Sequence, residues 1–185
     1  MISYLADFLI GRAKRHPYEH LADYMQRFWL RKHNEAKSNW AARIHNIKRS
    51  DHDRALHDHP WKNASLVLKG GYWEVAPGIY QAAREANFAG VTPYFLELHG
   101  LIHAVGGNKA TKKHLRELAR MGVRWRGPGA FVRRKAESLH RLVVPKGSEA
   151  WSLFFMGAKL RDWGFATPQG WVHNVEYTKE LGREA

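Results

Sequence analysis

The sequence predicts a mainly β domain, an antiparallel sandwich or barrel, with helices at its N-terminus and a partly helical insertion. Three observations predict this architecture. Apolar residues recur at helical spacing in the first part of the chain, and from Trp40 onward short β-rich runs alternate with turn signals. Between Ala76 and Arg126, helix signals interrupt that rhythm. The length of 185 residues suits one domain with an appendage.

The N-terminal region, residues 1–39, is predicted to be a helical appendage. Ile2, Leu5 and Leu9 recur at helical spacing, and Pro17 then ends the pattern. A second apolar face follows, which predicts a second helix and hence a helical hairpin on the outside of a barrel. Its members are Leu21, Tyr24, Met25, Phe28 and Trp29.

Residues 40–185 are predicted to form the barrel. ARIHNIKRS alternates apolar and polar residues, and residues 63–75 form a β-rich run with a turn or bulge at Gly70 and Gly71. Three further strand candidates are AFVRRK, LHRLVVP and EAWSLFFMG. A C-terminal arm is expected to pack Trp163, Phe165 and Trp171 across the barrel.

The insertion is placed at about residues 76–126. It contains a short helix at residues 81–86, a strand candidate at residues 94–98 and a basic amphipathic helix at residues 112–121. Thr111 has the character of an N-cap for that last helix, and Gly122 that of its stop signal.

Composition excludes several functional classes. The chain has no cysteine, which excludes disulfides, thiolate metal sites and cysteine nucleophiles and fits a reducing cytoplasm. The opening stretch MISYLADFLIGRAKRHP is too short and too charged for a signal peptide, and no apolar run is long enough to cross a membrane. There is also no phosphate-binding loop or nucleophile elbow. A cytoplasmic protein without a membrane partner is expected.

Net charge leaves the partner open. Thirty Lys and Arg against 17 Asp and Glu give a formal charge of +13, and the excess is concentrated in residues 109–135. A solvated basic face is the favoured interpretation. A nucleic-acid partner is the less favoured one, because no base-reading motif is present.

The motif HDHP, residues 57–60, is the main chemical signal. On a strand, side chains two residues apart face the same side, so His57 and His59 would point together into the barrel. His140, in LHRLVV, is the best third ligand for a divalent metal. An HxH pair alone is weak evidence, because the chain has 12 histidines.

Two longer segments resemble the motifs of the RmlC-like cupin superfamily. They are HDHPWKNASLVLKGGYWEV and GPGAFVRRKAESLHRLVV, and the resemblance covers residues 41–175 apart from the insertion. SDHDRALHDHPW and AWSLFFMGAKLRDWGF resemble a group of uncharacterised bacterial and phage cupins, which has no established reaction. The resemblance implies a jelly-roll barrel, the double-stranded β-helix, and a homodimer through edge strands.

One departure from the cupin pattern bears on the metal. The carboxylate of the first motif would fall at Asn63 or Ala64, and neither is acidic. The remaining set, His57, His59 and His140, resembles the three-histidine site of the thiol (cysteine) dioxygenases. That resemblance implies Fe(II), with Zn, Ni or Mn as alternatives, and an oxidoreductase acting on a small anionic substrate. The missing carboxylate equally fits a barrel that only binds a small ligand or acts as a scaffold.

Five residues are assigned to substrate binding. Arg133 and Arg134 are adjacent, so on a strand they face opposite sides and one would hold an anionic group. Asn63, Tyr72 and Trp61 are assigned to the same pocket, with core packing as the alternative for the two aromatic residues.

Five other residues are secondary candidates. Asp51 and Asp58 could orient nearby histidines or arginines, although a surface loop is the favoured place for Asp51. His99 and His103 would share one face and suit a metal only if their segment is helical. Asp53 has the same two interpretations as Asp51, and a surface loop is favoured for it as well.

Overall fold

A computed structural model of the protein describes residues 2–21, 23–32, 39–51 and 55–180. The helices are α1 (Ile2–Ala13), α2 (Ile79–Glu85), α3 (Pro93–Ala104), α4 (Lys112–Arg120) and α5 (Asn174–Glu180). The strands are β1 (Pro17–Leu21), β2 (Met25–Arg31), β3 (Ala41–Ile47), β4 (Leu56–His57), β5 (Asn63–Gly70), β6 (Tyr72–Val75), β7 (Val123–Arg126), β8 (Phe131–Arg134), β9 (Arg141–Val143), β10 (Ala150–Met156), β11 (Gly164–Thr167) and β12 (Gly170–His173). No helix within these ranges is long and apolar enough to cross a membrane.

The strands form two antiparallel layers. One is a six-stranded sheet of order β1-β2-β3-β10-β5-β8. The other consists of two three-stranded sheets, β12-β11-β4 and β7-β6-β9, which an isolated bridge between His57 and His140 joins. Side chains from both layers share one interior apolar cluster, in which Ile47 and Val67 meet Tyr72 and Leu142. This is the cupin-type jelly-roll barrel that the two sequence motifs predicted.

Both outer faces of the barrel are covered by helices. Helix α1 packs Ala6 and Ile10 against Phe28 of the six-stranded sheet. The insertion helices pack against the outer face of β6 and β9 through a second cluster. Its members are Trp73, Val75, Tyr80, Leu98, Leu118 and Val143. Strand alternation therefore sends one set of side chains to the helices and the other into the barrel.

The prediction of a second N-terminal helix is wrong. Strands β1 and β2 pair as an antiparallel hairpin, and β2 continues into the sheet by pairing with β3. Asp23 supplies the turn with a φ of 52°, and Tyr18 contacts Trp29 at 5.1 Å between ring centroids. The aromatic residues of this segment recur at a spacing that also fits a helical face, but aromatic residues are strong strand formers. An open edge of β3 was available to pair with them. Residues 33–38 lie outside the described residues.

The insertion was predicted more accurately. Helices α2 and α4 are confirmed, and the Thr111 hydroxyl accepts a hydrogen bond from His114 N at 3.2 Å, as an N-cap does. The strand predicted at residues 94–98 is wrong, because the segment belongs to α3. Thr92 caps this helix and Pro93 occupies its first position, a start signal that the strand prediction overlooked.

Candidate metal centre

Backbone pairing sets the positions of two histidines. His57 N donates to His140 O at 2.9 Å, and His140 N donates to His57 O at 3.0 Å. Residues that exchange both hydrogen bonds lie directly opposite each other and project to the same face. Their ring centroids are consequently 4.7 Å apart.

The ring of His59 lies beside those of His57 and His140, although His59 is not part of a strand. It lies beyond the end of β4, and its N–H donates to Ala136 O at 3.0 Å, in the turn that precedes His140. Its ring centroid is 5.1 Å from that of His140. The expectation that His57, His59 and His140 converge is therefore met, although a turn rather than a continuous strand positions His59.

The three rings fit a divalent metal. One ring nitrogen from each of the three lies within 4.8 Å of the others, and His59 Nε2 is 3.5 Å from His140 Nε2. Two imidazole nitrogens bound to one ion at about 2.1 Å and near tetrahedral angles lie roughly 3.4 Å apart. Among the described residues, no carboxylate joins this group. The group can therefore bind a metal through histidines alone.

Burial keeps two of the rings neutral. The pKa of His59 and the pKa of His140 both lie well below the usual value, mainly because of desolvation and then because of the charges of His57 and Arg134. His140 Nδ1 also lies 3.4 Å from Ser138 O, which leaves Nε2 for a metal. Neutral imidazole is the form that coordinates metals.

Asp51 supports the site by contacting one of its three histidines, His57. Its carboxylate accepts hydrogen bonds from Leu142 N at 2.7 Å and from the Tyr24 hydroxyl, and it lies 3.7 Å from His57 Nδ1. The side chain is only 7% exposed, so the expectation of a surface-loop aspartate is wrong. Carboxylates placed in this way orient metal-binding histidines. Asp53 lies outside the described residues.

Asp58, between two of the histidines, fastens the C-terminal hairpin to the site. Its buried carboxylate accepts hydrogen bonds from Gly164 N at 2.7 Å and from Trp171 Nε1 at 3.0 Å. Arg161 pairs with it at 2.8 Å. Strand β11 is thereby held against β4, where Phe165 pairs with His57. The C-terminal arm that the sequence predicted is therefore a short hairpin of β11 and β12, and the contacts of Asp58 hold it in place.

A buried ion triad lies inside the barrel. Glu74 accepts hydrogen bonds from Arg126 Nε at 2.7 Å and from Arg134 Nε at 2.7 Å. The Glu74 and Arg134 side chains are 7% and 6% exposed. Two guanidinium groups share one carboxylate, so the triad carries a net charge of +1. Sequence reasoning missed Glu74. It lies two residues after Tyr72 in the strand YWEV and so faces the same side, which was a usable signal.

A cavity of about 690 Å³ contains three of the five predicted substrate residues, Asn63, Arg133 and Arg134. Arg134 faces inward and Arg133 is exposed, as the strand alternation predicted. Trp61 is half-buried and lies outside the cavity lining, and Tyr72 packs in the interior apolar cluster. Substrate contact by these five residues stays a prediction.

His45 and Asn63 are unusual polar residues near the site. His45 stacks on Phe154 at 4.9 Å, and Phe154 lies 5.9 Å from His59. Burial, with the charges of Arg43 and Arg27, lowers the pKa of His45 to about 3. Within the described residues, His45 Nε2 and both amide atoms of Asn63 have no hydrogen-bond partner. Sequence reasoning missed His45, which lies two residues from Ile47 on the same strand and so faces the same side.

Comparisons with known proteins find structural likeness only. No protein-family model matches the chain, and no curated protein matches it. The polyketide cyclase RemF from Streptomyces resistomycificus is 13% identical, with a TM-score of 0.48 over 87% of this chain and 82% of that chain.

Two other solved structures are similar in the same way. A cupin 2 conserved barrel domain protein from Rhodopseudomonas palustris is 12% identical, with a TM-score of 0.46 over 84% of this chain and 78% of that chain. The hydroxypropylphosphonic acid epoxidase from S. wedmorenis is 11% identical, with a TM-score of 0.46 over 78% of this chain and 56% of that chain. The cupin-type architecture itself is defined by the sheet topology of this chain.

Proposed function

We propose that the protein is a non-haem Fe(II) dioxygenase-like enzyme acting on a small anionic substrate. The observation that carries the proposal is the convergence of three ring nitrogens, from His57, His59 and His140, within 4.8 Å of one another. A bound Fe(II) would supply open positions at which the substrate and O₂ meet, with O₂ as the oxidant. The resemblance of the three-histidine set to thiol dioxygenases favours iron over zinc, nickel and manganese.

Charge inside the barrel supports an anionic substrate. Three neutral imidazoles leave the full charge of a divalent ion uncompensated. The triad of Glu74, Arg126 and Arg134 adds a net positive charge. Arg134 also lines the large cavity, and its charge adds to the effects of burial and of His57 in lowering the pKa of His59 and of His140. A carboxylate or thiolate entering this cavity would therefore be attracted toward the metal centre.

The remaining contributions come from the chain's own side chains. Asp51 would hold the His57 ring with Nδ1 toward its carboxylate. Asn63 would offer its amide donor and acceptor to the substrate, because neither atom has a partner among the described residues. Arg134 would orient the anionic group while Glu74 holds its guanidinium in place.

The test is O₂ consumption after anaerobic loading with Fe(II). Small thiols and small carboxylic acids are supplied in turn to the wild-type protein, to His140→Ala and to the control His16→Ala, in which an exposed histidine is removed. Substrate-dependent O₂ uptake by the wild type and the control, but not by His140→Ala, is expected. Stoichiometric iron binding with no O₂ uptake across both substrate classes would contradict the enzymatic assignment.

One observation favours a second function, a non-catalytic binding module. None of the three histidines is among the residues that line the large cavity. A barrel of that kind would hold a small ligand or act as a scaffold, while the basic helix α4 contacts nucleic acid. Loss of the protein's biological activity in a His57→Ala/His140→Ala double variant would contradict it, whereas full activity would favour it over the enzyme.

A further inference from the structure

A second pocket lies on the other side of β9 from the metal centre. It has a volume of about 360 Å³ and lies between the end of α2 and the face of α3. Its lining residues are Arg84, Asn87, Phe88, His99 and His103. None of these is acidic, so the pocket presents only cationic, neutral polar and aromatic groups.

The two histidines belong to one connected group of rings. The segment that carries them is helical, and their ring centroids are 4.8 Å apart. His99 Nδ1 lies 2.7 Å from the Tyr80 hydroxyl, and the His99 ring contacts Phe88 at 4.6 Å. These contacts fix the orientation of the imidazoles toward the pocket without occupying all of their nitrogens.

Both imidazoles are neutral near pH 7, because burial and, after it, nearby positive charge lower the pKa of each ring. Burial lowers the pKa of His103 to about 4, and the charges of His99, Arg141 and Arg84 act in the same direction. The pKa of His99 is lowered by burial and then by Arg84 and Arg141. Each ring can therefore donate one N–H to a bound group, while the arginines provide the charge.

Arg141 supplies a buried charge behind the pocket. The residue is 1% exposed, and its guanidinium lies 6.0 Å from the Tyr80 ring centroid. The guanidinium makes a hydrogen bond with the Tyr80 side chain, but its Nε and Nη2 have no hydrogen-bond partner within the described residues. Asp51 is the acidic group whose charge acts on it, but that carboxylate is engaged by Tyr24 and Leu142. Buried charges in proteins are ordinarily paired, so a bound anion would stabilise this arrangement.

The wall of the pocket also has unusual backbone geometry. Asn87 and Phe88 follow each other with φ values of 51° and 59°, in the left-handed region. Asparagine tolerates that region, whereas a bulky residue such as phenylalanine rarely adopts it. Backbone strain of this kind concentrates where a side chain must be presented to a ligand. Here it places the Phe88 ring beside His99.

We propose that this pocket binds a phosphate monoester with a small organic group. Arg84 would contact the phosphoryl oxygens in the paired geometry that guanidinium groups offer, and Arg141 would add charge from behind. His99 and His103 would donate hydrogen bonds, and Phe88 would cover the organic group. The volume of about 360 Å³ leaves room for more than the phosphoryl group alone.

The test is isothermal titration with phenyl phosphate, and with inorganic phosphate as the second probe. Saturable binding of one phenyl phosphate per chain, tighter than inorganic phosphate, is expected. Arg84→Gln should weaken it at least about tenfold, since a charge-assisted hydrogen bond is lost. Asn87→Asp, an exposed change that places negative charge in the lining, should weaken it similarly even if Arg84→Gln folds poorly.

The matched control is Arg116→Gln, which removes one exposed positive charge from helix α4 outside the pocket. It should bind phenyl phosphate as the wild type does. Equal weakening in Arg116→Gln and Arg84→Gln, or no saturable binding by the wild type, would overturn the proposal. A single-stranded oligonucleotide without a terminal phosphate is also titrated. If it displaced phenyl phosphate, the site would belong to a diffuse basic face, which would also overturn it.

Discussion

Glu74 places one buried carboxylate between the guanidinium groups of Arg126 and Arg134 inside the barrel. Glu74→Gln would leave both Arg126 and Arg134 without an acid. Removing one member of a buried ion group typically lowers the free energy of unfolding by about 3–5 kcal/mol. The measurement is urea unfolding of the metal-free protein.

The control for this change is Glu117→Gln, which breaks a surface pair with Arg120. Exposed pairs contribute less than about 1 kcal/mol, so the control should unfold close to the wild type. Equal stabilities of the two variants would show that the interior triad does not stabilise the barrel.

Asp51 is predicted to affect metal affinity without touching the metal. Asp51→Asn removes the negative charge that faces His57 Nδ1 and weakens the acceptor for Leu142 N. Changes in such supporting carboxylates typically lower metal affinity by about 10–100-fold. Competition with a chelator measures the affinity, and Asp162→Asn, at an exposed pair with Lys159, should leave it unchanged. Unaltered affinity in Asp51→Asn would remove Asp51 from the site.

Individual residues were predictable where local spacing determined their role. His57 and His59 are two positions apart, and His140 lies in a motif of its own, so the sequence was sufficient to group them. The sequence offered the supporting role of Asp51 only as an alternative to a surface loop, and the ion pairs of Glu74 were missed, because both roles depend on partners that the fold brings from distant positions. Leu142 is 91 residues from Asp51, and Arg134 is 60 residues from Glu74.

At the scale of elements, the close approach of β11 and β12 requires a glycine. A Cβ at Gly164 would lie 2.0 Å from the carbonyl oxygen of Val172, so Gly164→Ala must push the two strands apart. Strand β11 pairs with β4 at His57, and we therefore expect lower stability together with weaker metal binding. Thermal unfolding with and without metal measures both effects.

Gly100→Ala is the matched control for this change. Gly100 lies within α3 and an added Cβ meets no atom within 4 Å, so alanine should stabilise the helix by about 0.5–1 kcal/mol. If Gly164→Ala were as stable as Gly100→Ala, the β11–β12 pairing would not be as close as the structure has it.

Elements were predictable where the hydrophobic period was unambiguous. Strands β5 and β10 and helix α4 have clear periods or clear caps, and they occur where the sequence placed them. The hairpin β1–β2 was not predictable, since its aromatic residues also fit a helical face and only pairing with β3 decides between the two structures. Helix α3 was missed because a short apolar run carries no period of its own.

At the scale of the whole molecule, the buried histidines make stability depend on pH. The pKa of His45 is about 3 in the folded protein, against an ordinary value of about 6.5. Below pH 6.5 the unfolded chain takes up a proton that folded His45 does not. Unfolding is therefore favoured progressively as the pH falls from 6.5 toward 3. His59 and His140 act in the same direction.

The contribution of His45 is isolated by comparing the wild type with His45→Gln in urea. One unit below its ordinary pKa, at pH 5.5, His45 should destabilise the wild type by about 1.4 kcal/mol relative to pH 7.5. The difference in unfolding free energy between the two proteins should shift by that amount in favour of His45→Gln. A difference that does not change with pH would mean that folded His45 is accessible to protons.

The metal content of the purified protein tests the central claim most directly. After anaerobic incubation with Fe(II) and removal of free metal, elemental analysis should give about one iron per chain in the wild type and in His16→Ala. His59→Ala, which removes one of the three converging rings, should retain little iron. A wild-type protein without iron, or a His59→Ala variant that binds as much iron as the wild type, would contradict the account.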